Sequence, residues 1–313
     1  MKKLSYRVEH VTLYEYKTPV TLSQQLLHLT PRSLPWQQCE THALAIEPMA
    51  AEYVEREDFF GNRIVQFAVR TAHEKLRVSA DSTVHLRARW DELDVKSSPS
   101  WESVRDRLRD VAQPPLLDPS QFLFESPNVE LAPALTDYAS RSFPAGRPLL
   151  AGAMDLMQRI YQDFDYDPEA TTVATPLAEV IADRRGVCQD FAHLMIGCLR
   201  ALGLSARYVS GYILTEPPPG QPRLVGADAS HAWVSVFCPR AGWVDFDPTN
   251  KLLPDLEHIS VAWGRDFSDV TPMRGVILGG GGEQELDVSV TVTPLDEQDI
   301  APATKPGAAL PGQ

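Results

Sequence analysis

The periodicity of the apolar residues changes near residue 95, and this change limits the fold class. Before that point apolar and polar residues alternate at period two, in residues 6–16, 64–69 and 76–86. Such alternation is typical of strands with one buried face, and residues 58–62 have the composition of a turn between two of these runs. We therefore predict that residues 1–95 form an N-terminal antiparallel β domain.

Helical patterns replace the alternation in the rest of the chain. Residues 96–146 read as a helical connector, with helices predicted at 101–111 and 131–142 around a proline-rich loop. Residues 147–255 read as a core of helices followed by strands. Its predicted elements are helices at 148–162, 175–181 and 187–202, then strands at 205–214, 231–238 and 243–247. Strands, then helices, then strands predict the α+β class.

The C-terminal region adds one predicted apolar strand at 286–292, so we expect residues 256–293 to complete the fold. Residues 294–313 are rich in Pro, Ala and Gly, a composition typical of a disordered tail.

Composition excludes several classes of protein. The 313 residues carry a formal net charge of −13, so phosphate backbones would repel the chain and nucleic acid is not an expected partner. No run of about 18 apolar residues predicts a membrane span, and the first 17 residues lack the apolar segment of a signal peptide. The four cysteines are too few for a disulfide scaffold. These features predict a cytoplasmic protein.

Cys188 stands at the start of the most apolar predicted helix, directly after the sequence Arg185-Gly186-Val187. A thiol at a helix N-terminus faces unpaired N–H groups and the positive end of the helix dipole, which together stabilise a thiolate. Asp190, in the same first turn, is predicted to cap the helix. Cys188 is therefore a candidate nucleophile, although a small buried cysteine would also fit this position.

His231 and Asp247 are predicted to face each other across a hairpin. Within each strand, the residues that alternate with His231 or with Asp247 are apolar, so burying the apolar faces together puts both polar side chains on one side. A three-residue loop at 239–241 makes them diagonal neighbours, about 7–8 Å apart at Cα. Asp247 can then orient His231; Asp245 is the competing acid on that face. Cysteine, histidine and acid form a nucleophile–base–orienter pattern.

Four segments resemble the transglutaminase-like superfamily of papain-fold cysteine enzymes: RRGVCQDFAHLM, RYVSGYIL, DASHAWVSVF and GWVDFDPTN. The resemblance implies a papain-like core, with Cys188 as nucleophile, His231 as base and Asp247 as its orienting acid. The segments YEYKTPVTLSQQLLHLTPR and EDFFGNRIVQF resemble the N-terminal β domain of bacterial members. The animal enzymes support the oxyanion with an upstream Trp. This chain has no Trp between Trp101 and Trp233, and Tyr166 is the candidate in its place.

The leading hypothesis is an enzyme that forms an acyl-enzyme at Cys188 from an amide of a protein or peptide, and acts as a protease, an amidase or a transglutaminase. Gln189 and Trp233 flank the pair and are candidates to line the cleft. The alternative is a non-catalytic peptide- or protein-binding module on the same fold. No cofactor is predicted, and no metal, because Cys188 and His193 point to different helix faces. The sequence does not define an oligomeric state.

Overall fold

The computed structural model describes residues 2–110, 114–172, 175–215 and 230–296. The α+β class is confirmed: an N-terminal antiparallel sheet precedes a helical region and a second antiparallel sheet. Among the described residues, no helix is long and apolar enough to cross a bilayer.

The N-terminal sheet is built around its first strand. Its strands are β1 (Lys3–Leu27), β2 (Gln37–Glu47), β3 (Glu52–Glu57), β4 (Arg63–Val69) and β5 (His73–Arg87). Their order is β2-β5-β1-β4-β3, and apolar residues on the inner faces of β1, β4 and β5 form one core cluster. The period-two pattern of the sequence is thus explained by strands that bury alternate side chains.

The helical region contains α1 (Trp101–Leu108), α2 (Pro114–Ser120), α3 (Pro133–Ser140), α4 (Leu149–Asp163), α5 (Leu177–Asp183) and α6 (Cys188–Ala201). The predicted helices at 101–111 and 131–142 are shorter than expected. Helix α3 packs directly against α6: a Cβ added at Gly197 would meet the Leu135 side chain at 3.1 Å. This part of the predicted connector therefore contributes to the core around α6.

The second sheet has the order β10-β9-β8-β11, with every neighbouring pair antiparallel. Its strands are β8 (Ala206–Ile213), β9 (Ser230–Cys238), β10 (Gly242–Phe246) and β11 (His258–Gly264). Helix α6 packs on β8 and β9, where His193 of the helix contacts Tyr208 of β8 with ring centroids 5.0 Å apart. The remaining pair, β6 (Asp165–Tyr166) and β7 (Arg185–Gly186), is short and parallel and lies just before α6.

The C-terminal segment joins both sheets, which the sequence did not predict. Strand β11 borders β8, whereas β12 (Met273–Gly279) and β13 (Gln284–Leu295) return to pair with β1. The short helix α7 (Phe267–Val270) lies between β11 and β12 along the chain. Strand β13 is longer than the predicted strand at 286–292 and continues beyond the expected start of the tail at 294. The rest of that tail, 297–313, and most of the predicted loop at 215–229 lie outside the described residues.

Candidate active site

Cys188 is the first residue of α6, and its helical turn is fixed by the buried carboxylate of Asp190. That carboxylate accepts hydrogen bonds from the Val187 N–H at 2.8 Å and from the Thr171 hydroxyl at 2.6 Å. A Cβ at Gly186 would lie 2.7 Å from the same carboxylate oxygen, so only glycine fits before the turn. Asp190 therefore caps the helix as predicted, and it leaves Cys188 partly exposed at the helix N-terminus.

His231 and Asp247 meet across the β9–β10 hairpin. The register pairs Gly242 with Cys238, which leaves the three-residue loop that the sequence predicted. His231 Nε2 donates to Asp247 Oδ2 at 2.8 Å, and the two side chains are 7% and 0% exposed. The structure thus places Asp247, rather than Asp245, against the histidine.

Asp247 is surrounded by hydrogen-bond donors. Its Oδ1 accepts the backbone N–H groups of Thr249 and Asn250, at 2.9 and 3.1 Å. Its Oδ2 accepts, besides His231, the Asn250 amide at 2.8 Å and His258 Nε2 at 3.0 Å. Burial alone would raise the pKa of Asp247, but the hydrogen bonds from both histidines outweigh burial and lower it. The carboxylate is therefore ionised at neutral pH.

His258 and Asn250 were not identified from the sequence. Asn250 ends the segment GWVDFDPTN, but nothing local in the sequence assigns Asn250 or His258 to Asp247. His258 begins β11, and only the pairing of β11 with β8 brings this strand to the hairpin. Asn250 follows β10 in the turn after Asp247, where an Asp-Pro-Thr-Asn sequence folds back onto the carboxylate.

His231 also interacts with Cys188. Burial lowers the pKa of His231, but hydrogen bonds to Asp247 and to Cys188, together with their negative charges, raise it to about 10. Since Nε2 is engaged by Asp247, Nδ1 is the ring nitrogen that remains for the thiol. The arrangement favours an imidazolium at His231, between Cys188 and the carboxylate of Asp247.

Two other predicted residues, Trp233 and Asp245, lie behind this histidine. Trp233 is fully buried, and its ring centroid lies 6.1 Å from that of His231 and 5.3 Å from that of His258. Its indole N–H donates to Asp245 at 3.3 Å, and Asp245 forms an ion pair with Arg89 at 2.7 Å. Trp233 therefore supports both histidines from within the protein.

Tyr166 and Gln189 lie on the Cys188 side. The backbone of Tyr166 pairs with Gly186, two residues before the cysteine, and its side chain is 57% exposed. Burial and the nearby charge of Cys188 raise the pKa of Tyr166, so its hydroxyl stays protonated and can donate a hydrogen bond. Gln189 is half-buried in the first turn of α6.

The side chains of His231, Asp247 and His258 could also hold a metal ion, since one ligand atom of each lies within 4.8 Å of the others. The same atoms already bond to one another at 2.8 and 3.0 Å, and a metal would have to replace these hydrogen bonds. His193, which the sequence considered as a zinc ligand, is buried and accepts the Phe267 N–H at 3.2 Å. Burial lowers the pKa of His193 to about 4, which keeps the ring neutral.

Comparisons with known proteins identify the family of the chain. A model of the bacterial transglutaminase-like N-terminal region matches residues 6–85, and a model of the transglutaminase-like superfamily matches residues 137–248. An uncharacterized protein of Mycobacterium tuberculosis is 42% identical over 298 residues, which cover 93% of each chain. One of Mycobacterium leprae is 33% identical over 92% of this chain and 98% of its own. The chain belongs to the transglutaminase-like superfamily.

Two further similarities bear on this transglutaminase-like protein. A candidate cysteine protease from Cytophaga hutchinsonii has the same fold, with a TM-score of 0.73, 21% identity and coverage of 95% of this chain and 92% of its own. A protein-glutamine gamma-glutamyltransferase of Pseudomonas aeruginosa is 36% identical over 108 residues, which make up 32% of this chain and 16% of that enzyme. Membership of the transglutaminase-like superfamily supports a papain-like cysteine enzyme family in general.

Proposed function

We propose that the protein is a cysteine enzyme that cleaves the amide bond of a protein or peptide substrate through an acyl-enzyme at Cys188. The observation that supports this most directly is the position of His231, which bonds to Asp247 through Nε2 and interacts with Cys188. A nucleophile at a helix N-terminus, a base beside it and a buried acid behind the base are the three parts that such chemistry needs.

The reaction follows from these contacts. The Cys188 thiolate attacks the amide carbonyl, forming a C–S bond and a tetrahedral oxyanion. The Cys188 N–H, at the start of α6, and the Tyr166 hydroxyl are the donors that we assign to this oxyanion. As the C–N bond breaks, the His231 imidazolium gives its proton to the departing amine. Asp247 keeps the proton on Nε2 throughout, so only Nδ1 takes part in the transfer.

The acceptor then attacks the thioester carbonyl while Nδ1 of His231 removes its proton. The C–S bond breaks, and the product and the Cys188 thiolate are released. Water as acceptor gives a protease or amidase, and a primary amine gives a transglutaminase; the first half of the reaction is the same. A glutamine-containing peptide incubated with a primary amine distinguishes the outcomes by mass spectrometry. Peptide cleavage, deamidation or amine incorporation would each support the acyl-enzyme, and absence of all three products across a peptide library would contradict it.

Labelling with a thiol-reactive probe tests the nucleophile separately. Cys39 provides a comparison within the same molecule, because it is also partly exposed and burial raises its pKa. We expect Cys188 to react first, and Cys188→Ala to abolish the fast labelling. Equal reaction rates at Cys188 and Cys39 would favour the alternative, a non-catalytic binding module on this fold.

A further inference from the structure

Three arginine side chains, Arg32, Arg89 and Arg207, lie close together beside the second sheet. Arg207 belongs to β8, and the register places it opposite Ser235 of β9, which is in turn opposite Asp245 of β10. These three residues therefore form one row across the sheet, on the face that also carries His231 and Trp233. Arg32 and Arg89 reach this row from segments that follow β1 and β5.

The guanidinium of Arg207 is covered on its faces by aromatic rings. Its central carbon lies 3.7 Å from the ring centroid of Trp263 and 4.1 Å from that of Trp243. The residue is only 6% exposed. Stacking of this kind satisfies the flat faces of the cation, but the N–H groups point outward at the edge and still need acceptors.

Several donors in this row have no acceptor. Arg207 Nε, Arg89 Nη1 and Ser235 Oγ are all buried and have no hydrogen-bond partner among the described residues. Ser235 is 0% exposed, so bulk water cannot satisfy its hydroxyl. A buried polar group without a partner costs free energy, and three such groups from neighbouring residues indicate a bound species that accepts hydrogen bonds from all of them.

The charges indicate which kind of species this is. Arg89 is neutralised by Asp245 at 2.7 Å, and Arg32 is stabilised by the charges of Asp58 and Glu57. Within the described part of the chain, no carboxylate forms an ion pair with Arg207, although burial in a low-dielectric region makes an unpaired cation costly. The charges of Asp245 and Asp118 do act on Arg207, but neither carboxylate forms an ion pair with it, so an anion is the partner that its N–H groups favour.

We propose that Arg207, Arg89 and Ser235 bind a small inorganic anion, of which chloride is the representative, between the N-terminal sheet and the second sheet. The anion accepts hydrogen bonds from Arg207 Nε, Arg89 Nη1 and the Ser235 hydroxyl. The slight exposure of the site excludes a large organic ligand. Through Asp245, which binds both Arg89 and the indole of Trp233, the anion stabilises the layer that supports His231.

Thermal unfolding in sodium chloride, bromide and gluconate at equal ionic strength tests the site on the wild-type chain. Binding of an anion to the folded state alone raises Tm with ligand concentration. We expect a saturable rise in chloride and bromide that gluconate, which is too large to enter, does not reproduce. Crystals soaked in bromide should show an anomalous peak beside Arg207 Nε. Identical unfolding in the three salts, or a site filled by water alone in the bromide crystal, would overturn the proposal.

Ser235→Ala distinguishes an anion site from an empty one, because the two cases predict different changes in Tm and in its dependence on chloride. Without an anion, removal of an unpartnered buried hydroxyl should leave Tm unchanged or raise it, at every salt concentration. With an anion, we expect a higher half-saturating concentration of chloride, by about fivefold if one hydrogen bond of ordinary strength is lost. Arg207→Met should remove the chloride dependence altogether, whereas the exposed Arg77→Met serves as the control that keeps it. Wild-type chloride dependence in Ser235→Ala and Arg207→Met would refute this assignment.

Discussion

Replacement of Asp247 by asparagine would remove the carboxylate that contacts both histidines of the site. The new amide has one acceptor oxygen and one NH₂ group, whereas both oxygens of Asp247 accept hydrogen bonds. If the NH₂ takes the place of Oδ1, it faces the backbone N–H groups of Thr249 and Asn250, so that hydrogen-bond donors meet donors. If it takes the place of Oδ2, it faces His231, His258 and the Asn250 amide.

The second orientation costs less, because a histidine can move its proton to the other ring nitrogen and a backbone N–H cannot. His231 then accepts through Nε2 and carries its proton on Nδ1, the nitrogen that should serve Cys188. The Asn250 amide alone loses its acceptor, which costs about 1–3 kcal/mol of unfolding free energy. The base, in contrast, is in the wrong tautomer, and we expect kcat to fall on the order of 10²–10⁴, by analogy with triad acids.

The assay pairs the rate of probe labelling at Cys188 with denaturant unfolding of the same variant. Asp58→Asn is the matched control. Asp58 lies between β3 and β4, where it also combines a histidine contact, at 3.4 Å from His28, with backbone N–H donors. We expect Asp58→Asn to lose stability and keep its labelling rate. If Asp247→Asn labels at the wild-type rate while it remains folded, the tautomer argument is wrong.

Three further predictions concern the same residues. Cys198 is fully buried in α6, so Cys198→Ala should cost about 1 kcal/mol or more in denaturant unfolding and leave labelling at Cys188 unchanged. His258→Phe should lower the unfolding free energy by about 1–3 kcal/mol and slow the reaction with the probe, because Asp247 loses one donor; an unchanged rate would show that His258 has only a structural role. Because the pKa of His231 is higher in the folded chain than in the unfolded chain, where it is about 6.5, protonation of His231 stabilises the fold. This contribution to the free energy of unfolding should be complete below about pH 6.5 and lost as the pH rises towards about 10, as measured by unfolding at stepped pH. The lowered pKa of Asp247 has the opposite effect: its contribution to stability is present above about pH 4 and is lost as the pH falls. In His231→Gln, the loss of stability at alkaline pH should be smaller than in the wild type.

The parts of the site that were predictable from the sequence depend on local geometry. Period-two alternation and a three-residue loop are sufficient to place His231 near Asp247, and a glycine before a long apolar stripe is sufficient to place Cys188 at a helix N-terminus. His258 could not be predicted in the same way, because its position depends on which strand β11 borders. Trp233 shows a related limit: alternation gives its face, but burial of that face depends on segments that arrive from elsewhere in the chain.

The sequence also did not predict that the C-terminal strands pair with β1. Alternation in β13 indicates that the segment is a strand, but it does not indicate which strand lies beside it. Strand β12 gave no signal at all, because its exposed valine and leucine, together with its glycines, break the period-two pattern. Both strands lie along β1, so the first and last strands of the described chain belong to one sheet. The helical region and the second sheet are thus inserted, in connectivity, between β5 and β12.

This connectivity explains how the N-terminal sheet supports the site. Strand β11 is an edge strand, and edges leave backbone groups without partners. The side-chain amide of Gln37 accepts the Ser260 N–H at 2.8 Å and donates to the Ser260 carbonyl at 2.7 Å. Asn62 makes the same pair of bonds with Trp263, at 2.9 and 2.8 Å. Two amides from the N-terminal region therefore replace a neighbouring strand, and they fix the strand that brings His258 to Asp247.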